Sequence, residues 1–371
     1  MDAEDLLRLK VRLLTEGVTL PEGESTGRRG GAGPVGSRYF LLPNGRPCGI
    51  PVRQGRLAER FGSRPLVPTK NPGVWLHDGR TCLKAVPRPK FYDLSTTNGI
   101  PYQKLALLHG KDTLATTVYQ SCRYWSKGDQ CKFCTIPLSH SAGDTVLEKT
   151  PDQIADVVDA AEREGVITNV LLTTGTPSEP DMGCERLIGV VKRIRESSTI
   201  PVGVQFEPSV DETLILKLAD AGANAVGIHI ESADESIREE MCPGKFKQGS
   251  LELYRKSWEH ALSHFARGTV STFILHGLGE DIETTLQLVR ETSEMGVMPV
   301  VTPVRPAPGS QLVDFTPRYV GNLEETVGFY KRVGEILHDC HLNPKKTAAG
   351  CHRCGGCTPI QEAFDWARTN H

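Results

Sequence analysis

The sequence contains no run approaching the roughly 18 consecutive apolar residues that a membrane-spanning helix needs, so no span is expected. Charge of neither sign dominates, and a net charge of −2 supplies no basic field for nucleic acid. The stretch Gly30-Gly31-Ala32-Gly33 lacks the Lys-Ser/Thr of a phosphate-binding P-loop and opens no helix, so it is read as a turn. The first residues, MDAEDLLRLKVRLLTEG, contain no apolar leader core. They read as an acidic-start amphipathic helix, and the expected location is the cytoplasm. No low-complexity tract is present, and no repeat is shorter than a β/α unit.

Cysteine, by contrast, is plentiful, with 11 in 371 residues. In a reducing compartment an odd number of cysteines does not persist as a disulfide framework, so clustered thiols point to metal binding or chemistry. The isolated Cys48, Cys82, Cys184, Cys242 and Cys340 are read as small buried or incidental residues. Hydrophobic residues at 38% and charged residues at 24% describe a globular chain, long enough for one barrel-sized domain with extensions.

Three regions are expected. Residues 1–110 open with the helix and continue as a small β-rich region, with Asn44-Gly45 as a hairpin signal. Residues 111–340 alternate apolar strands with helices. The strands are Leu114–Gln120, Val170–Thr174, Val202–Phe206, Ala225–Ile230, Val270–Leu275 and Val297–Pro303; the helices lie near 151–164, 184–196, 211–221, 250–265, 282–295 and 323–340. Residues 341–371 form a cysteine-rich C-terminal extension. The fold class is α/β, a partial (β/α)6 TIM-type barrel.

Working residues of such barrels gather at the carboxyl ends of the strands. Cys122, Cys131 and Cys134 follow the first strand with spacing Cys-x8-Cys-x2-Cys. An iron–sulfur cube normally takes four thiolates, so three in one loop leave one iron open. Thr174-Gly175-Thr176, Glu207, His229 with Glu231, and His276 with Gly277 stand at later strand ends, and Arg305 stands at the last. A second group, Cys351, Cys354 and Cys357, is interleaved with Gly355 and Gly356, which let the backbone curl around a metal. Two other readings remain open. Cys-x2-Cys is also half of a zinc knuckle, and Glu207, His229, Glu231 and His276 could serve a barrel enzyme of ordinary acid–base type.

The cysteine loop with Phe133, the TTGT turn, Glu231 and the GLGED stretch together resemble the radical SAM superfamily over roughly residues 110–320. The usual loop there is Cys-x3-Cys-x2-Cys, and this chain widens the first gap to eight. The RRGGAGP, FYDL and REEMCPGK segments and the terminal cysteines resemble the biotin synthase-related branch. Within it they are similar both to the two-component lipoyl synthase proteins and to a radical SAM family encoded beside nitrilases.

The resemblance implies a [4Fe-4S] cluster on Cys122, Cys131 and Cys134 with S-adenosylmethionine on its open iron, and a second, auxiliary [4Fe-4S] cluster on Cys351, Cys354 and Cys357. It implies that Thr174, Gly175 and Thr176 line the methionine amino end, that Glu207 and Glu231 accept from the amino group or ribose, and that Arg238 or Lys245 pairs with the carboxylate. Phe133 and Gly277 would lie by the adenine. The implied reaction is sulfur insertion into an unactivated C–H bond, in lipoyl formation on an octanoylated lipoyl domain. Ferredoxin or flavodoxin would be the reductant and a second radical SAM protein a partner. The branch also holds other sulfur insertions, and the nitrilase-associated family carries no stated reaction.

Overall fold

A computed structural model describes residues 1–24, 36–178, 180–209 and 211–370. The Gly30–Gly33 stretch lies outside the described residues.

Helix Ala3–Glu16 begins where the Asp2 carboxylate accepts the Asp5 N–H, and it ends at Gly17, whose φ of +68° favours glycine. Then come β1 (Val18–Thr19), β2 (Ser37–Leu41), β3 (Pro47–Pro51), β4 (Arg64–Pro68), β5 (Val74–His77) and β6 (Thr81–Ala85), which form one sheet in the order β1-β4-β5-β6-β2-β3. β2 and β3 are the hairpin that Asn44-Gly45 signals. This sheet buries its own core of Phe40, Ile50, Leu66, Trp75 and Leu83 against Leu13 and Leu14 of the first helix.

The second sheet contains β7 (Leu107–His109), β8 (Thr113–Thr117), β9 (Asn169–Thr173), β10 (Val202–Phe206), β11 (Ala225–Ile228), β12 (Val270–His276) and β13 (Met298–Pro303). β8 to β13 run parallel in chain order, with β7 antiparallel at the edge beside β8. This is a partial barrel-like sheet. Helices Pro151–Glu164, Cys184–Arg195, Thr213–Asp220, Leu251–Leu262, Ile282–Met295 and Leu323–Asp339 accompany it. Sharp local signals set their ends. Thr150 and Gln153 form a reciprocal capping box, and Gly165 and Gly296 close two helices in the left-handed conformation.

Side chains alternate across each strand, and here the alternation separates two environments. Leu114, Val170, Leu172, Val204, Ile274 and Val301 face the helices and are buried in one continuous core. Each such residue contributes about 1.5–3 kcal/mol on burial. The intervening Thr113, Thr117, Thr173, Gln205 and Thr302 turn inward and line a cavity. A barrel interior filled for stability alone would carry branched apolar residues there.

The two ends of the chain meet. Helix Ile360–Asn370 packs on Leu323–Asp339 and on Ala3–Glu16. Lys10 and Glu362, both fully buried, pair at 2.8 Å across the junction. No helix among the described residues is long and apolar enough to cross a membrane.

Candidate metal centres and the cavity between them

The loop after β8 turns sharply because Cys122 caps the short helix Arg123–Ser126. Gly175 crosses so close behind it that a Cβ there would lie 1.9 Å from the Ser121 carbonyl oxygen. No other residue fits. The TTGT turn is thereby stitched to the cysteine loop: Gly175 N–H donates to Tyr119 O at 2.9 Å, and Arg123 N–H to Thr176 O at 2.8 Å.

The donor set around these sulfurs suits thiolates. Backbone N–H groups of Tyr124 and Thr176 donate to Cys122, and that of Ile136 acts on Cys134. Burial nonetheless pushes the unligated thiols up, Cys134 to about 12 with Cys131 and Cys122 adding to the rise. N–H donors of this kind at ligating sulfurs are what tunes a bound cluster, so these residues fit an iron–sulfur cube. Among the described residues no three His, Cys, Asp or Glu groups gather at single-ion spacing; a cube binds each thiolate to a different iron.

The widened gap between Cys122 and Cys131 has a definite place. Its backbone docks on residues 241–244 through Lys132 N–H to Met241 O at 2.8 Å and Gly244 N–H to Asp129 O at 3.0 Å. Salt bridges Lys132–Glu240 and Lys247–Asp129 flank this contact. A Cβ on Gly244 would lie 2.3 Å from the Tyr124 ring, so the close approach depends on glycine. The same docking brings the Cys242 thiol against Cys131, and their mutual hydrogen bond holds the Cys131 thiol well above its ordinary range. Read alone, Cys242 gave no sign of this.

Glu207, at the end of β10, is buried and accepts from Tyr124 OH at 2.7 Å and from Thr176 Oγ1 at 2.6 Å. Glu231 sits at φ +72°, a strained position for a residue with a side chain, and pairs with Lys245 at 2.8 Å. Burial works against the Lys245 charge, but Glu231 holds its pKa well above the usual lysine range. Lys245 therefore already has an acidic partner inside the protein. Arg238 is drawn aside: its guanidinium donates to Gly249 O at 2.7 Å and lies over the Phe246 and Tyr254 rings. Gly277 is also removed from this group and packs against Tyr319, while Glu280 accepts its N–H at 2.8 Å and contacts His276 at 2.9 Å. Phe133 lines the cavity.

The second cysteine group reaches the barrel interior from the other side. Arg353 forks onto Asp112 at 3.0 and 3.1 Å, and Gln361 Nε2 donates to the carbonyls of His352 and Arg353. Gln205 Nε2 donates to Cys351 Sγ at 3.2 Å. Gly356 N–H and Thr113 OH act on Cys354, whose thiol burial pushes up to about 11. Tyr39 OH stands 3.9 Å from Cys357 Sγ. Gly110, at φ +59°, leaves room for the Cys354 sulfur, which would lie 2.7 Å from a Cβ there. Cys48, fully buried in β3, feels Cys357 electrostatically. Cys82 is exposed on β6, and Cys340 caps the helix that ends at Asp339.

Between the groups lies a cavity of about 1090 Å³ lined at one side by Phe133 and Cys134 and at another by Cys351, Cys354 and Cys357. His229 lines it too. Its Nδ1 accepts the Phe273 N–H at 3.1 Å, which fixes the proton on Nε2, and Nε2 has no partner among the described residues.

The Radical SAM superfamily profile matches residues 128–291. A biotin synthase from Syntrophotalea carbinolica is 26% identical over 216 residues, covering 58% of this chain and 63% of that one. A bacteriochlorophyllide c C-7(1)-hydroxylase from Chlorobaculum limnaeum is 23% identical over 240 residues, covering 60% of this chain and 59% of that one. The chain thus spans less than two thirds of the length of either relative. The solved structure of a methylornithine synthase aligns with a TM-score of 0.48 at 19% identity, over 67% of this chain and 71% of that one. The profile match covers less than half of the chain; residues 128–291 form a radical SAM-like segment, a kind of domain that implies a [4Fe-4S] cluster and S-adenosylmethionine.

Proposed function

We propose that the protein reductively cleaves S-adenosylmethionine at a cluster on Cys122, Cys131 and Cys134, and inserts sulfur into an unactivated C–H bond of a substrate held in the cavity. The observation that carries this reading is one cavity lined both by Cys134 of the first cysteine group and by Cys351, Cys354 and Cys357 of the second. Cys351, Cys354 and Cys357 would hold the auxiliary [4Fe-4S] cluster. When bound, the two clusters would supply the electron and the sulfur.

The chain's own part is to bind, orient and exclude water. Thr174–Thr176 presents backbone polar groups beside Cys122, and the Glu207 carboxylate, held by Tyr124 and Thr176, keeps lone pairs for an amino group or ribose hydroxyls. Glu231 is oriented by Lys245 for the same purpose. His229 Nε2–H is a neutral donor for an acceptor in the cavity, since burial and Lys245 hold its pKa well below the usual histidine range.

The substrate-specific form of the proposal is lipoyl formation on an octanoylated lipoyl domain, with ferredoxin or flavodoxin as reductant and a second radical SAM protein as partner. Reduced, iron-loaded protein with S-adenosylmethionine, that partner and an octanoylated lipoyl-domain peptide is expected to give 5′-deoxyadenosine and a sulfurated peptide. Deoxyadenosine without a sulfurated product would leave the radical chemistry and discard the lipoyl substrate. Colourless protein holding zinc would overturn the reading altogether.

A further inference from the structure

β13 and β7 are the two edges of the partial barrel, and residues of the N-terminal sheet and of helix Gly55–Phe61 also line the cavity. That region brings arginines to the cavity: Arg53, Arg56 and Arg60 line it together with Arg305 from the loop after β13. Asp314, exposed, is the one carboxylate among the lining residues.

Arg53 is 3% exposed, and both terminal nitrogens lack a hydrogen-bond partner among the described residues. Its guanidinium lies 3.9 Å from the Phe61 ring centroid and against Gly17, where a Cβ would meet Nη1 at 2.3 Å. Burial lowers its pKa to about 10, with Arg305 and Arg60 lowering it further and no carboxylate raising it. Arg305 donates through Nη1 to Ser37 Oγ at 3.2 Å, yet its buried Nη2 is unpaired; Arg60 donates to Val313 O, and its buried Nε is unpaired. A buried cation without a partner is costly, and the half-buried Arg60 and Arg305 add repulsion to that cost at Arg53. Stability alone does not explain such a cluster. Guanidinium forks match a carboxylate or phosphate in shape and charge.

We propose that Arg53 and Arg305, with Arg60, form an anion subsite of the cavity that takes the carboxylate or phosphate head of a small substrate, whose apolar body lies along Leu57, Ile136 and Val304 toward Cys134. This deepens the proposed function and rests on its reading of the cavity as the substrate's. It also parts from the lipoyl form, because an octanoyl amide brings no charge to the arginines.

The test is calorimetric titration of the full-length, anaerobically reconstituted protein with octanoate, octyl phosphate and octanamide, with and without S-adenosylmethionine. One of the anions is expected to bind at least about tenfold more tightly than octanamide, as expected for a hydrogen bond to a charged group; which anion wins separates carboxylate from phosphate. Arg53→Gln and Arg305→Gln should each abolish the preference while leaving S-adenosylmethionine affinity unchanged, and Arg53→Lys should retain part of it. Equal binding of all three probes, or no binding, overturns the proposal. So does loss of S-adenosylmethionine binding in Arg53→Gln, which would assign the arginines to the methionine carboxylate. Should Arg53→Gln not fold, Arg305→Gln decides alone. Protein that cleaves S-adenosylmethionine but shows no anion preference sinks the subsite and keeps the function; anion preference in protein that holds no iron does the reverse.

Discussion

Replacing Lys245 by methionine isolates the Glu231–Lys245 pair. The two lie 2.8 Å apart with side chains 18% and 11% exposed. Removing one member of a buried pair costs about 3–5 kcal/mol because it strands the other charge. Lys245 keeps some exposure, so the expected loss is near about 3 kcal/mol, the low end of that range. Glu231→Gln together with Lys245→Met removes both charges and should recover most of the loss, since no unpaired carboxylate remains. Urea unfolding of wild type, Lys245→Met, Glu231→Gln and the double variant gives the coupling, and the m-value should stay constant. The sign with pH follows from the raised lysine pKa. The pair's contribution is fully present below the ordinary lysine pKa and is lost as pH rises through the higher folded value. The wild type minus K245M difference should therefore be flat through neutrality and shrink only in strong alkali. A K245M protein as stable as wild type, or a double variant no better than the single, would refute the reasoning that these groups stabilise each other.

Three other outcomes are expected. Changing Cys351, Cys354 and Cys357 to alanine should reduce iron from roughly eight to roughly four per chain, as two cubes of four irons require; unchanged iron by colorimetric assay would remove the second cluster. Tyr124→Phe leaves Glu207 short of one buried donor and should cost about 1–3 kcal/mol, read by denaturation and by weaker S-adenosylmethionine binding; unaltered binding would mean that Glu207 does not serve the cofactor. Asp112 is half-buried, and although burial raises its pKa, Arg353 pulls it below the usual carboxylate range. Its contribution is present above the ordinary aspartate pKa and lost as pH falls through the folded value, so Asp112→Asn should flatten acid unfolding.

Much of the barrel was legible because its strands and helices carry local periodicity. Val202–Phe206 and helices 151–164 and 282–295 fall where apolar spacing and caps put them. Other ends shift by a few residues, as where Leu114–Gln120 becomes Thr113–Thr117: Val118 to Gln120 leave the sheet to meet the loops at 147–149 and 173–175. Antiparallel β7, too short to carry a pattern, was not foreseen. The strand-end rule found Thr176, Glu207 and Glu231 beside the cysteine loop, because parallel register fixes which ends gather. It could not separate Lys245 paired with Glu231 from Arg238 bound to Gly249, since a cation's partner is chosen by packing. Tyr124, Cys242 and Arg53 left no signal at all. Each is an ordinary residue locally, and only distant segments (Glu207, Cys131 and the β13 loop, respectively) give it a role.

The clasp of the first and last helices through Lys10 and Glu362 has a consequence in time. During synthesis, all six parallel strands emerge before Cys351, at a pace of roughly 5–20 residues per second. The inward-facing Thr113 and Gln205 then wait without the sulfurs they will touch, and the N-terminal helix lacks the partner that neutralises Lys10. The terminal cysteines therefore reach a barrel whose strands precede them, and the helix behind them then packs on Ala3–Glu16 and Leu323–Asp339. A chain stopped before Glu362 should keep the first centre's residues yet leave Lys10 without its carboxylate partner.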